Sequence, residues 1–212
     1  MQTNVRSYTD EQIIDRVEQL VSFQGWQKGK YDIWVRSNED AFDKFDDKVY
    51  SFEVKNTGEK PIFAMVCSGT SHAGRKGLEE YDTKYGLDRC AVLASDCIVY
   101  KSHYYGKHKN QYWAYRQGKP FPYFEDTNKD KKVDETGRLV LNRVIYANCH
   151  RAGDASVNVG GWSIACLVRN IKKQYKKWMA WMNKEEFLHV CILREWDPAL
   201  NIPPVDPLTR NL

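Results

Sequence analysis

The sequence predicts a mainly β protein of the α+β class, with one helix near each end. Three observations predict it. Short apolar and aromatic runs recur through the middle of the chain, several alternating with polar residues and separated by Gly, Asn, Asp and Pro, a pattern of antiparallel strands joined by turns. Helical spacing of apolar residues is confined to two stretches. The 212 residues are 42% hydrophobic and 13% aromatic, enough to bury one core without disulfide staples.

Residues 8–24 read as the first helix. Thr9 or Asp10 caps it, Glu11 and Asp15 lie near its positive end, and Ile13, Ile14, Val17, Leu20 and Val21 share a face. Gly25 ends the pattern and Gly29 keeps the chain flexible beyond it. Strands are predicted over 31–35, 49–54, 62–67, 90–93, 98–100, 112–115 and 139–147. Residues 169–187 return to helical spacing, with Ile171, Tyr175, Trp178, Met179 and Met182 on one face. Lys172, Lys173, Lys176 and Lys177 fall on the other, read as a solvated face, with contact to an anionic polymer as the alternative. A last strand covers 188–196. Four of the seven prolines (Pro198, Pro203, Pro204 and Pro207) lie in 197–212, which reads as an extended tail. The organisation is a helix and linker (1–29), a body (30–196) and a tail (197–212).

Composition excludes several classes. The net charge of +4, from 32 basic and 28 acidic residues, is too small to announce a nucleic-acid partner. No apolar run reaches the roughly 18–20 residues of a membrane span. Residues 1–9 are polar, so no secretory signal is read there, and synthesis in the cytoplasm is expected. The six cysteines (Cys67, Cys90, Cys97, Cys149, Cys166 and Cys191) contain no CxxC pair, which argues against a zinc knuckle and for free thiols in a reducing compartment.

The segment richest in chemistry runs Asn148-Cys149-His150-Arg151-Ala152-Gly153 and then Val159-Gly160-Gly161-Trp162-Ser163-Ile164-Ala165-Cys166. A strand at 144–147 is expected to deliver His150. A Gly-rich loop follows, and Cys166 comes just before the second helix. A nucleophilic cysteine needs a base or cation that favours its thiolate, and backbone N–H groups aimed at the developing oxyanion. These residues supply both kinds of part. By themselves, a cysteine and a histidine are also ordinary core residues.

The segment resembles the catalytic motif of the L,D-transpeptidase-like family, in which a strand histidine precedes a Ser/Thr-x-Gly-Cys turn. Here His150 takes the histidine position and Ser163-Ile164-Ala165-Cys166 the turn. It is most similar to uncharacterised phage and Bacteroidetes members with a His-Arg-Ala and a Gly-Gly-Trp-Ser-Ala-Gly-Cys motif. Further matches run in order along the chain: Arg36-Ser37, Phe45-Asp46-Asp47, Ser68-Gly69-Thr70 to Gly74, then Gly106, His108, Lys109 and Gln117, and finally a loop over 125–130.

The resemblance implies a β-sandwich and a cysteine peptidase or transpeptidase acting on peptidoglycan stem peptides, with no cofactor and no metal. It implies Cys166 as nucleophile, His150 as base and then acid, and Ser163 as the residue that orients the turn or the histidine. Backbone N–H groups at Ala165 and Cys166 form the oxyanion hole. Trp162, Gly161, His108, Lys109 and Arg151 meet substrate. It further implies a phage-encoded protein that joins other virion proteins or is released at lysis.

The chain departs from the family at Ala165, where Gly is usual and where a positive φ would strain alanine. It departs again at Leu167, Ile164 and Glu125. Arg169 stands one place later than the arginine that cell-wall transpeptidases carry, with Val168 at that position. The competing reading is a catalytically degenerate virion or cell-wall-binding module.

Three other features carry two readings each. Asp126, Asn128, Asp130 and Asp134 follow a calcium-loop spacing, but Lys131 and Gly137 occupy positions that want Gly and an acid, so a solvated turn competes. The aromatic and basic stretch 100–119 reads as a hairpin with cross-strand aromatics, or as a platform that stacks sugars or single-stranded bases. A zinc site from Cys149, His150, Cys166 and His108 is opposed by strand alternation, which sends Cys149 and His150 to opposite faces.

Overall fold

In the computed structural model, residues 5–39, 41–80, 89–133, 135–154 and 156–209 are described. The chain is mainly β. The order is α1 (Asp10–Glu18), β1 (Gly29–Arg36), β2 (Asp47–Val54), β3 (Ile62–Thr70), a π-type turn (Lys76–Glu80), β4 (Cys90–Leu93), β5 (Cys97–His108) and β6 (Tyr112–Gln117). It continues with β7 (Tyr123–Asp126), β8 (Arg138–Val140), β9 (Cys149–Arg151), β10 (Leu167–Arg169), α2 (Lys172–Met182) and β11 (Phe187–Arg194).

Hydrogen bonding runs without a break through β1, β11, β5, β6, β9, β10, β3 and β2, so the sandwich-like body is a closed barrel in its connectivity. Closure leaves none of these eight strands at a free sheet edge. β4, β7 and β8 form a separate three-stranded sheet. Most neighbours are antiparallel, but β1 pairs β11 and β9 pairs β10 in parallel.

Strand alternation divides the core. Tyr31, Ile33 and Val35 of β1 face outward onto α1, joining Ile13, Ile14 and Val17. Each such buried aliphatic side chain contributes roughly 1.5–3 kcal/mol. Trp34 faces the other way, into a cluster with Tyr115, Cys149, Leu167, Leu188 and Val190. The helix α2 turns Tyr175, Trp178 and Met182 onto that same cluster. There the Arg169 Nη2 meets Asp32 Oδ2 at 2.7 Å, and the guanidinium lies 3.7 Å from the Trp178 ring centroid. Asp32 also accepts from Ser51 Oγ and Trp178 Nε1.

Several expectations need correction. The first helix stops at Glu18 rather than running to 24, because Ser22 Oγ accepts the Ile98 N–H and Gln24 N–H donates to the Tyr100 hydroxyl, which pulls the chain onto β5. Thr9 is its N-cap, in a capping box with Gln12. The second helix spans Lys172–Met182 rather than 169–187, since Arg169 belongs to β10 and Asn183 closes the helix in a left-handed conformation. The strand expected over 139–147 survives only as β8, because the Ile145 and Ala147 N–H groups both donate to Gln117 Oε1 instead of to a ladder. His150 therefore sits in its own short strand, β9. Cys166 precedes a strand, β10, and not directly the helix.

The proline-bearing tail is tied down: Arg16 Nη1 donates to the Ile202 carbonyl and Val205 N–H to Asp96 Oδ2. No helix among the described residues is long and apolar enough to cross a membrane.

Candidate active site

The site is built on β9 and β10, parallel neighbours in the register Leu167↔Cys149 and Val168↔His150. Cys149 and Leu167 point into the sealed interior. Alternation puts His150 and Val168 on the opposite face, and Cys166, two residues before Val168, falls on that face as well. Half-buried Cys166 packs there against Phe45, Ala152, Val159 and Val168. The nucleophile candidate thus stands directly before the strand that neighbours the base candidate's.

His150 is almost wholly buried, and its contacts define its tautomer. Nδ1 lies 3.0 Å from the Arg151 carbonyl oxygen, which can only accept, so Nδ1 carries the hydrogen. The Tyr112 hydroxyl sits 3.3 Å from the same nitrogen and donates to the same carbonyl at 3.4 Å. Nε2 is left with its lone pair, buried and without a hydrogen-bond partner. Other buried atoms share this state, among them Trp34 Nε1 and Arg169 Nε and Nη1, but His150 Nε2 is the one that belongs to a candidate site residue. Burial first, then neighbouring His108, Lys109 and Arg151, push the His150 pKa down to about 3, so the ring is neutral near pH 7.

Cys166 is held differently. Its thiol donates to the Tyr146 carbonyl at 3.7 Å and not to His150. Burial pushes the thiol up to about 11, against the opposing pull of the Asn148 backbone N–H and the Lys109 ammonium. Tyr146 itself has φ of 60°, an unusual conformation for a bulky residue. The cause is Gln117, whose Oε1 takes both N–H groups flanking Tyr146, at 3.1 and 2.9 Å.

The loop before Cys166 is fastened at several points. Ser163 Oγ donates to the Cys166 carbonyl at 2.8 Å, and the Ser163 carbonyl accepts from Gly74 N–H at 3.0 Å. Ser163 therefore binds the turn and not the histidine. Gly160 N–H donates to Asp43 Oδ1, and the Gly160 carbonyl accepts from Lys76 N–H. Gly161 lies under the Lys76 side chain, where a Cβ would come within 3.0 Å of Cδ. Trp162 is 41% exposed and flanks Gly153. Ala165 takes no left-handed conformation, so the strain expected of alanine at that position is absent.

His108 and Lys109 come from the β5–β6 hairpin. His108 stacks on His150 with centroids 4.2 Å apart, and Lys109 is exposed beside both rings and Cys166. The Arg151 guanidinium covers the Tyr112 ring at 4.8 Å. Arg169, in contrast, is consumed by Asp32 in the core and faces no substrate. Sequence reasoning missed Tyr112, Tyr146 and Asn148, and assigned Gln117 no role. Nothing in a linear pattern marks Tyr146 as left-handed or Asn148 as the residue that bridges to His108.

Other candidate sites fare as follows. Among the described residues, the one His/Cys/Asp/Glu trio whose ligand atoms lie within 4.8 Å of one another is Asp46, Asp47 and His72, so the zinc set around Cys166 does not assemble. In the calcium-type segment, Asp126, Asn128 and Asp130 each accept a backbone N–H two residues on, as solvated turns do. Asp134 lies outside the described residues. The aromatic hairpin stacks Tyr105 on Trp113 at 4.6 Å across β5 and β6. Comparison with family models, curated proteins and solved structures finds no match.

Proposed function

We propose that this chain is a cysteine-dependent peptidase or transpeptidase-like protein that acts on peptidoglycan stem peptides through Cys166 and His150. The observation that carries the proposal is the pair itself: a histidine on β9 and a cysteine directly before its parallel neighbour β10, with the basic Nε2 buried and left without a partner. The thiol needs to rotate from the Tyr146 carbonyl toward Nε2. Transfer of its proton there creates a thiolate and an imidazolium, each of which stabilises the other. The thiolate then forms a C–S bond at the substrate carbonyl, and the carbonyl electron pair moves onto oxygen. When the oxyanion collapses, the C–N bond breaks and the leaving amine takes the proton from His150. Water or an amine resolves the thioester, which separates peptidase from transpeptidase. The resemblance to phage members favours cutting, in a virion or at lysis.

The test is incubation with muropeptides and mass spectrometry, comparing the wild type with Cys166→Ala and His150→Ala. A product from the wild type alone is expected. No product, or equal product from all three, overturns the proposal.

The second reading, a degenerate virion or wall-binding module, is favoured by one observation: the thiol is raised and engaged with Tyr146. It requires slow iodoacetamide alkylation of Cys166 at neutral pH in the presence of muropeptide as well as in its absence. Alkylation protected or accelerated by muropeptide counts against it.

A further inference from the structure

The stacked pair His108 and His150 is held by contacts that assign opposite hydrogen positions to the two rings. The backbone N–H of Gln117 donates to Asn148 Oδ1 at 3.0 Å. A backbone N–H can only donate, so the amide orientation of Asn148 follows, and its Nδ2 faces His108 Nδ1 at 3.3 Å. An amide Nδ2 can only donate, so His108 Nδ1 is the acceptor and its hydrogen sits on Nε2. His150 is the reverse, with hydrogen on Nδ1 and a lone pair on Nε2.

The strands set the two rings side by side. Gly106 and Ala114 are cross-strand partners on β5 and β6, the two small residues on the outer surface beside His108 and Tyr112. Ala114 lies one residue from the Tyr115↔Cys149 pair that joins β6 to β9. No large side chain stands between the imidazoles. His108 Nε2 has no partner within the described residues and, unlike His150 Nε2, is not among the sealed atoms.

We propose that His108 is a substrate-facing hydrogen-bond donor. Its Nε2–H holds the substrate carbonyl oxygen while His150 Nε2 receives the thiol proton, so that of the two stacked neutral rings one donates to the amide and the other accepts from the nucleophile. No proton leaves His108. The groups around it agree with a neutral ring: Lys109 and Arg116 are cationic neighbours, and His150 and Tyr112 are in ring contact. A charged His108 would lose the Asn148 bond and stand against two cations.

This inference rests on the peptidase reading, and its test has an arm that does not. In the 15N-labelled full chain at pH 7, imidazole NMR is expected to show His108 as the Nε2–H tautomer and His150 as the Nδ1–H tautomer, assigned with His108→Gln and His150→Gln. Asn148→Asp is expected to convert His108 to the Nδ1–H or charged form. In muropeptide turnover, His108→Gln keeps a donor near the Nε2 position and is expected to stay within about tenfold of wild type. His108→Phe keeps the stack without the donor and should lose about 100-fold in kcat, the scale of one oxyanion donor. An Nδ1–H or charged His108 in the wild type overturns the inference, as does full turnover by a folded His108→Phe. The expected tautomers with no wild-type product overturn the peptidase reading and the substrate role together, and leave an architectural pair.

Discussion

Two of the buried polar clusters in this protein are finished to different degrees. At one end of the barrel, Arg36 donates to Glu135 Oε1 at 2.6 Å and to the Ser71 hydroxyl and carbonyl. Asp47 accepts from the Ser37 and Ser71 N–H groups and the Ser71 hydroxyl. Asp46 meets His72 Nε2 and the Ala41 N–H, and the second oxygen of Glu135 takes both donors of Ser95. Every one of these carboxylate oxygens has a donor. On the β9–β10 face, His150 Nε2 has none and the Cys166 thiol rests on a strained carbonyl. Completed networks of buried charge hold shape, whereas the open Nε2 is the group that the proposed chemistry uses. The first also holds the second: Gly74, two residues past His72, fastens Ser163 in the turn before Cys166.

That contrast can be broken, and the largest effect is expected at the completed cluster. Arg36→Ala removes the closer of two arginines from Glu135, leaving it Arg194 Nη2 at 3.3 Å and the Ser95 donors, and should cost about 1.5–3 kcal/mol in urea denaturation. A loss below about 1 kcal/mol would show that the network is not structural. Next come Cys166→Ala and His150→Ala, expected to lower muropeptide turnover by more than about 100-fold, with the urea midpoint moving less for half-buried Cys166 than for His150→Ala, which also empties a buried site.

The pH dependence sharpens the contrast further. His108, at about 4, and His150, at about 3, are depressed by burial below the ordinary 6.5. His103 and His189 are depressed to about 4 by burial as well. The unfolded chain then binds more protons, so stability falls as pH drops from about 6.5 toward 4, and His150→Gln should remove only its own share of that slope. His72 is raised, since Asp46 and Asp47 outweigh its burial. Its contribution is present below 6.5 and is lost as pH rises through its raised pKa, a slope that His72→Gln should remove. The smallest effect is expected for Trp162→Ala: stability within about 0.5 kcal/mol, with any loss confined to substrate KM.

Much of the architecture was legible in the residues. The amphipathic spacing of Ile13, Ile14 and Val17, the alternation in β1 and β2, and the apolar face of α2 all appear where periodicity placed them. Two kinds of feature were not legible. β9 and β10 are three residues each, too short for alternation to declare itself, yet they carry the histidine and follow the cysteine. The segment before β9 looks like a strand by composition, but a single distant side chain, Gln117, takes the N–H groups a ladder would need. Long-range side-chain competition for backbone donors leaves no periodic trace. Cys166 and His150 were legible as residue types, whereas the tautomers depend on Asn148 and Arg151 contacts that only the fold creates.

The pairing of β1 with β11 has a consequence for the order of assembly. The barrel is sealed by a parallel seam between β1 and β11, so every barrel strand must leave the ribosome before the ring can close. Contacts of such long sequence separation slow folding. The hairpin of β5 and β6 can form early, with His108 in place. His150 and Cys166 come into place only when β9 and β10 enter between β6 and β3, strands made long before, so the candidate site forms late, shortly before β11 closes the ring.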